Sequence, residues 1–164
     1  MGEHLIARGY TEIGFVGGRL GSDYRAAQRL GGLNEALRKA GLRRRPPFTH
    51  ESRTDLELGG EKLVEALQHD PTLDALFFAN DDLAVGALLR AHQEGIDVPG
   101  QVAIAGFNGF DVGGLTSPGL TTIVSPRRLI GQTAAQKLLA RIRNEDPGPN
   151  RVDVGYKLVI RSST

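Results

Sequence analysis

The chain predicts an α/β fold, a three-layer arrangement in which a parallel sheet lies between helices. Three observations carry this. Short apolar runs alternate with stretches whose apolar residues recur at helical spacing, the connections are a few residues long, and Gly, Asn, Asp or Pro marks almost every joint. Connections of this kind imply right-handed crossovers between neighbouring parallel strands.

Each element has a local reason. Residues Glu3 to Arg8 read as the end of a helix stopped by Gly9. Glu12 to Val16 is a buried strand running into Gly17-Gly18. Ser22 or Asp23 caps the next helix, where Ala26, Leu30, Leu33 and Leu37 share a face until Gly41. After a Pro-rich loop, Asp55 to Gln68 repeats the pattern with Leu63, Val64 and Leu67, and His69-Asp70-Pro71 breaks it. Asp74 to Ala79 is a strand covered on both faces. Asn80-Asp81-Asp82 opens a helix that reaches Glu94 and stops at Gly95, and Val102 to Phe107 is the next strand, ending in Asn108-Gly109. In the last third, Leu120 to Val124 is a strand, with Ser125 as cap and Pro126 as first residue of a helix striped by Ile130, Ala134, Leu138 and Ile142. Val152, Val154, Tyr156, Leu158 and Ile160 alternate with polar neighbours, the pattern of a half-buried edge strand.

Composition excludes several classes of function. Of 164 residues, 40% are hydrophobic and 24% charged, and the net charge is +1, without the basic stripe that phosphate-driven DNA binding demands. The dense basic run Arg43-Arg44-Arg45 reads as a solvated loop. No apolar run approaches the roughly 20 residues of a membrane span, and the first residues do not read as a signal peptide. Cysteine is absent, which removes disulfides and thiolate metal sites and fits a reducing compartment. His4, His50, His69 and His92 lack metal-ligand spacing and fall mostly on expected surfaces. Gly14 to Ser22 lacks the spacing of a dinucleotide fingerprint, and Ser22 has no neighbouring histidine. Neither an enzyme nor a bound cofactor or metal is expected.

Ligands of open parallel sheets bind beyond the carboxyl ends of the strands. Here those ends carry Gly17 to Ser22, Asn80-Asp81 and Asn108-Gly109, which bring amides, a hydroxyl and a carboxylate to one rim. Paired donors and acceptors of that kind suit a polyhydroxylated ligand, and Arg29 adds a planar fork for a carboxylate or vicinal hydroxyls. Each residue also has a plainer role: Asn80 and Asp81 as helix caps, Arg29 as a solvated cation, Asn108-Gly109 as a turn. The helix from Asp82 to Glu94 is apolar on two sides, through Ala84, Ala87, Leu88 and Ala91 on one and Val85 and Leu89 on the other, with Leu83 near the first. One side needs the sheet. The other needs a second copy of the chain or a deeper core.

The order of motifs resembles the effector-binding domain of lactose/galactose-repressor (LacI/GalR) regulators. The motifs are Glu3-His4-Leu5-Ile6 through Arg8-Gly9, Ile13 to Gly18, Arg29-Leu30-Gly31-Gly32-Leu33, Phe78 to Ala87, Gly95-Ile96 with Val98-Pro99, Val102 to Asn108, Leu120 to Ile123, Pro126-Arg127, Ile130-Gly131 and Leu158 to Thr164. Leucine at position 33 replaces the usual aromatic. The resemblance implies a periplasmic-binding-protein-like (type I) fold, cytoplasmic, with residues 1–118 in the C-terminal lobe, a strand and helix over 119–147 in the other lobe, and a returning strand over 148–164. It implies a sugar or sugar-acid effector held by Arg29, Asn80, Asn108 and Ser125, with Asp81 orienting them. Asn108 stands where many relatives place an aspartate. It further implies a homodimer through Leu83, Val85 and Leu89, operator DNA reached only by an N-terminal segment outside this stretch, and no membrane role. Without its lobe the helix after Pro126 is expected to pack on a partner chain or be poorly ordered. The alternative with the same fold is the sugar-binding component of a transporter.

Overall fold

The computed structural model describes all residues except Arg19, Ser52 and Arg53. Among the described residues, six strands form one sheet in the order β2-β1-β3-β4-β5-β6. They are β1 (Ile13–Gly18), β2 (Phe48–His50), β3 (Ala75–Phe78), β4 (Ala103–Asn108), β5 (Thr121–Val124) and β6 (Lys157–Val159). All neighbours pair in parallel except β6, which runs antiparallel to β5 as an edge. The helices are α1 (Gly2–Ala7), α2 (Tyr24–Lys39), α3 (Leu56–His69), α4 (Asp81–Glu94) and α5 (Arg127–Ile142), with a short 3-10 turn at Asp111–Gly114.

Two cores flank the sheet, as the three-layer expectation requires. On one face α3 and α4 bury Leu58, Leu63, Leu83, Val85 and Leu88 against Val16, Leu76, Phe78 and Ile104. On the other, α1 and α2 bury Leu5, Ala26, Leu33 and Leu37 against Ile13, Phe15 and Phe77. At about 25 cal/mol per Å² of apolar area, these faces supply the main drive for folding. Helix starts follow the capping residues: Asp23 accepts from the amides of Arg25 and Ala26, Asp55 from Leu58 and Asn80 from Leu83. Gly95, at φ 69°, ends α4 in the left-handed conformation.

Several expectations need correction. The strand at 121–124 does not leave for another lobe; it pairs with β4 in register, Ala105 opposite Thr121 and Asn108 opposite Val124. Its buried Thr121 and Thr122 find hydrogen-bond partners within this domain, Thr122 at Asp81 of α4 and Thr121 at the carbonyl of Arg161. The long alternating edge strand shrinks to Lys157–Val159, because nothing covers Val152, Tyr156 or Ile160, which are exposed. Ser125 does not cap α5 with its side chain: Pro126 is the capping residue, and the Ser125 carbonyl accepts from the Arg127 amide at 2.7 Å. Of the four histidines read as mostly surface residues, His50 is 7% exposed and lies against Gly18.

Leu83 and Val85 are likewise not surface residues. They are 0% and 1% exposed, and the second apolar side of α4 is covered by α3 of the same chain. Glycines allow that approach. A Cβ on Gly59 would lie 2.7 Å from the Leu83 Cα, and one on Gly86 would lie 2.8 Å from the Leu56 Cα, both inside contact distance. The two helix backbones therefore touch, and no gap remains for a second molecule there.

α5 is a regular helix of 16 residues with none buried. Its stripe residues Ile130, Leu138 and Ile142 are exposed, as are Leu129 and Leu139. The chain's end is the opposite case. Ser163 Oγ donates to the Ile104 carbonyl and accepts from the Thr121 amide, and Thr164 Oγ1 meets both Thr121 Oγ1 and His4 Nε2. The final residues thus lock β4, β5 and α1 at the sheet's amino end, away from the rim.

Candidate functional site

The strand order reverses direction between β1 and β3: the chain goes from β1 outward to β2, then returns to β3 on the other side. At such a switch point the connections diverge and leave a crevice at the carboxyl ends. Arg29, from the second turn of α2, reaches into it. Its Nη1 donates to the Ala79 carbonyl at 2.6 Å, and its guanidinium stacks 3.9 Å from the centre of the Phe107 ring. Ala79 precedes Asn80 and Phe107 precedes Asn108, so one side chain ties the ends of β3 and β4 together. Burial lowers the Arg29 pKa, opposed in part by Asp23 and Asp81, while Arg25 lowers it further.

Asn80 is half-buried, and its Oδ1 caps α4 by accepting from the Leu83 amide at 3.0 Å. Its amide nitrogen is a second polar group at the same spot. Asn108 is half-buried with φ 129°, a conformation L residues rarely adopt. It lies opposite Val124, so Ser125, also half-buried, follows one residue beyond. The sequence-derived residues Arg29, Asn80, Asn108 and Ser125 therefore occupy the ends of β3, β4 and β5 and the helix facing them.

Asp81 is 0% exposed and holds two separate segments. Its Oδ2 accepts from the Phe110 amide at 2.7 Å and its Oδ1 from Thr122 Oγ1 at 2.6 Å. Gly106 makes room for it, since a Cβ there would collide with Asp81 Oδ1. Burial first, and the neighbouring Asp81 second, push the Asp82 carboxyl above its ordinary range.

Two hollows border this rim. One, of about 490 Å³, is lined by Arg25, Arg29, Phe107, Ile123 and Tyr156 among others. The other, of about 360 Å³, is lined by Gly18, Ser22, Asp23, Tyr24, Arg25, His50 and Thr54 at the ends of β1 and β2. Asn80, Asn108 and Ser125 line neither. Arg25, His50 and Thr54 were not singled out from sequence. Arg25 carried no motif, and His50, the last residue of β2, and Thr54 beyond it owe their positions to the placement of β2. Of the rim stretch 17–22, Arg19 lies outside the described residues. Among the described residues no group of three or more His, Asp or Glu is placed to hold a metal.

Residues 3–164 match the periplasmic binding protein-like domain family. The chain belongs to that family. Its relatives place the domain among LacI/GalR-type regulators, as the motif order implied. It is 40% identical over 99% of its length to the HTH-type transcriptional regulator GntR of Pseudomonas aeruginosa, and 38% identical over 94% to GntR of Escherichia coli K12. It covers 47% and 46% of those proteins, so the domain spans about half the length of the curated relatives it matches. Among solved structures, the transcription regulator GntR from Chromobacterium violaceum superposes with a TM-score of 0.92 at 41% identity, over 99% of this chain and 59% of that one. A transcriptional regulator CelR–cellobiose complex superposes at 0.89 with 29% identity, over 99% of this chain and 50% of that one. These relatives are transcription regulators rather than enzymes. Among the described residues, no helix is long and apolar enough to cross a membrane.

Proposed function

We propose that this domain is the effector sensor of a cytoplasmic transcriptional repressor and holds a sugar or sugar acid at the rim of β1, β3, β4 and β5. The observation that carries the reading is Arg29, which joins the ends of β3 and β4 through Ala79 and Phe107, the residues immediately before Asn80 and Asn108. Guanidinium, amides and the Ser125 hydroxyl offer the fixed, paired hydrogen-bond geometry that hydroxyl-rich ligands require. Arg25, Ser22, His50 and Thr54 extend the polar surface into the adjoining hollow. With an amide at Asn108 in place of a carboxylate, and two arginines nearby, the rim favours a ligand carrying negative charge. Operator DNA is contacted by a segment outside this chain, and α5 turns its apolar stripe towards a second lobe or a partner.

The test is a thermal-shift and calorimetric screen of hexoses and hexonic acids. For a ligand that binds, Arg29→Ala is expected to weaken affinity about 10- to 100-fold, the loss of a charge-assisted hydrogen bond worth roughly 1.5–3 kcal/mol. Asn80→Ser keeps the cap and removes the amide, so a fall in affinity without a fall in stability separates ligand contact from capping. Unchanged affinity in both variants would refute the site.

We place the pairing surface of a homodimer on the outer side of α3 and α4, where Leu56 and Leu89 are 45% and 49% exposed. Leu89→Glu is expected to shift sedimentation towards monomer; an unaltered profile would remove Leu89 from the interface.

A further inference from the structure

Arg127 does more than begin α5. Its Nη1 donates to the Asn108 carbonyl at 2.9 Å and its Nη2 to the Gly109 carbonyl at 3.4 Å, while its guanidinium lies 4.9 Å from the centre of the Phe110 ring. Three consecutive residues, the last of β4 and the two that follow it, are thus held by one side chain from another element. Among the described residues, Arg127 also makes the side-chain hydrogen bonds that join α5 to the body of the sheet; Lys137 and Arg141 bond only to Pro147, Pro149 and Asn150 in the loop that follows the helix.

The gripped turn is itself unusual. Asn108 has φ 129° and Gly109 φ 71°, both in the region that side chains disfavour. On its buried side the turn is fixed by Asp81, which takes the Phe110 amide and so anchors the end of the turn to α4. On its open side the two carbonyls point to Arg127. A turn fixed at one end and bonded through its carbonyls at the other is a lever with two ends: Asn108 at the rim and the first residue of α5.

We propose that Arg127 is a positioning residue that couples the conformation of Asn108 to the attitude of α5, so that occupancy of the rim is passed to the helix whose apolar stripe awaits a partner. The ligand arm of this proposal rests on the rim being an effector site. The coupling itself does not, because it follows from contacts present without ligand. A planar guanidinium can bridge two carbonyls and stack on a ring together, whereas a lysine ammonium supplies the charge without that plane.

Hydrogen exchange read by mass spectrometry tests both parts on the full chain. In the ligand-free chain, Asn108→Gly relaxes the positive-φ residue and is expected to speed exchange in the first turn of α5 severalfold. In an Arg127→Gln background the same glycine change should add nothing there, with Arg127→Lys intermediate. Equal acceleration in the native and Gln backgrounds overturns the coupling. With a hexose or hexonic acid found in the screen, the first turn of α5 should change its exchange on binding in the native chain and not in Arg127→Gln. Binding that alters α5 exchange identically in both also overturns it. If no compound binds the native chain, the effector reading fails on its own, and the double substitution still decides whether Arg127 links Asn108 to α5.

Discussion

Asp81→Ala is expected to cost about 4 kcal/mol. The carboxyl group is fully buried and takes hydrogen bonds from the Phe110 amide and the Thr122 hydroxyl. Alanine leaves both donors without their acceptor, at roughly 1–3 kcal/mol each. For a domain of this size, that lowers the melting temperature by on the order of 10 °C. Asp81→Asn keeps the shape but offers an acceptor at only one of its two terminal atoms, so about half the loss is expected. In the pair Asp81→Ala with Thr122→Val, the second change should restore part of the stability because it removes one stranded donor. Urea denaturation of the four proteins measures this directly. A cost below about 1 kcal/mol for Asp81→Ala would mean that water reaches the site and satisfies both donors.

Gly86→Val is expected to destabilise by about 3 kcal/mol or more, although glycine is normally the weaker residue inside a helix. A Cβ at position 86 would sit 2.6 Å from the carbonyl carbon of Leu56, so the backbones of α3 and α4 must separate. Overpacking of this kind costs roughly 1–3 kcal/mol, more when backbone has to move. Gly31→Ala in α2 is the control, since nothing lies within 4 Å of the added atom. There the gain in helix propensity should appear, about 1 kcal/mol. Opposite signs at positions 86 and 31 are the expected result. Stabilisation at both would show that α3 and α4 do not touch as described.

Both predictions concern places where the order of residues is informative but incomplete. The alternation of elements, the caps at Asp23 and Asn80, and the stop at Gly95 were legible because each depends on neighbours within a few residues. The rim was legible for a similar reason: strands ending in Asn80 and Asn108 can only place those residues at the carboxyl edge of a parallel sheet. The partner of α4 was not. Its two apolar sides state that two surfaces cover it, and only the backbone contact through Gly59 and Gly86 shows that the second surface is α3. The glycines were visible as residues, but their meaning depends on a crossing between helices some 27 positions apart in the chain.

Arg127 and the buried pair of Asp81 with Thr122 belong to the same category. Nothing local distinguishes Arg127 from Arg128, yet the first grips the turn after β4 and the second does not. By itself the sequence determined the layers, the helix ends and which strand tips carry polar groups, because periodicity, capping and chain reversal act over short distances. Tertiary structure decided that β5 joins this sheet, that Leu83 and Val85 are core, that His50 is buried, and that α5 stands with its apolar stripe uncovered. Those outcomes depend on which remote surfaces meet, and burial and hydrogen-bond satisfaction are settled only when they do.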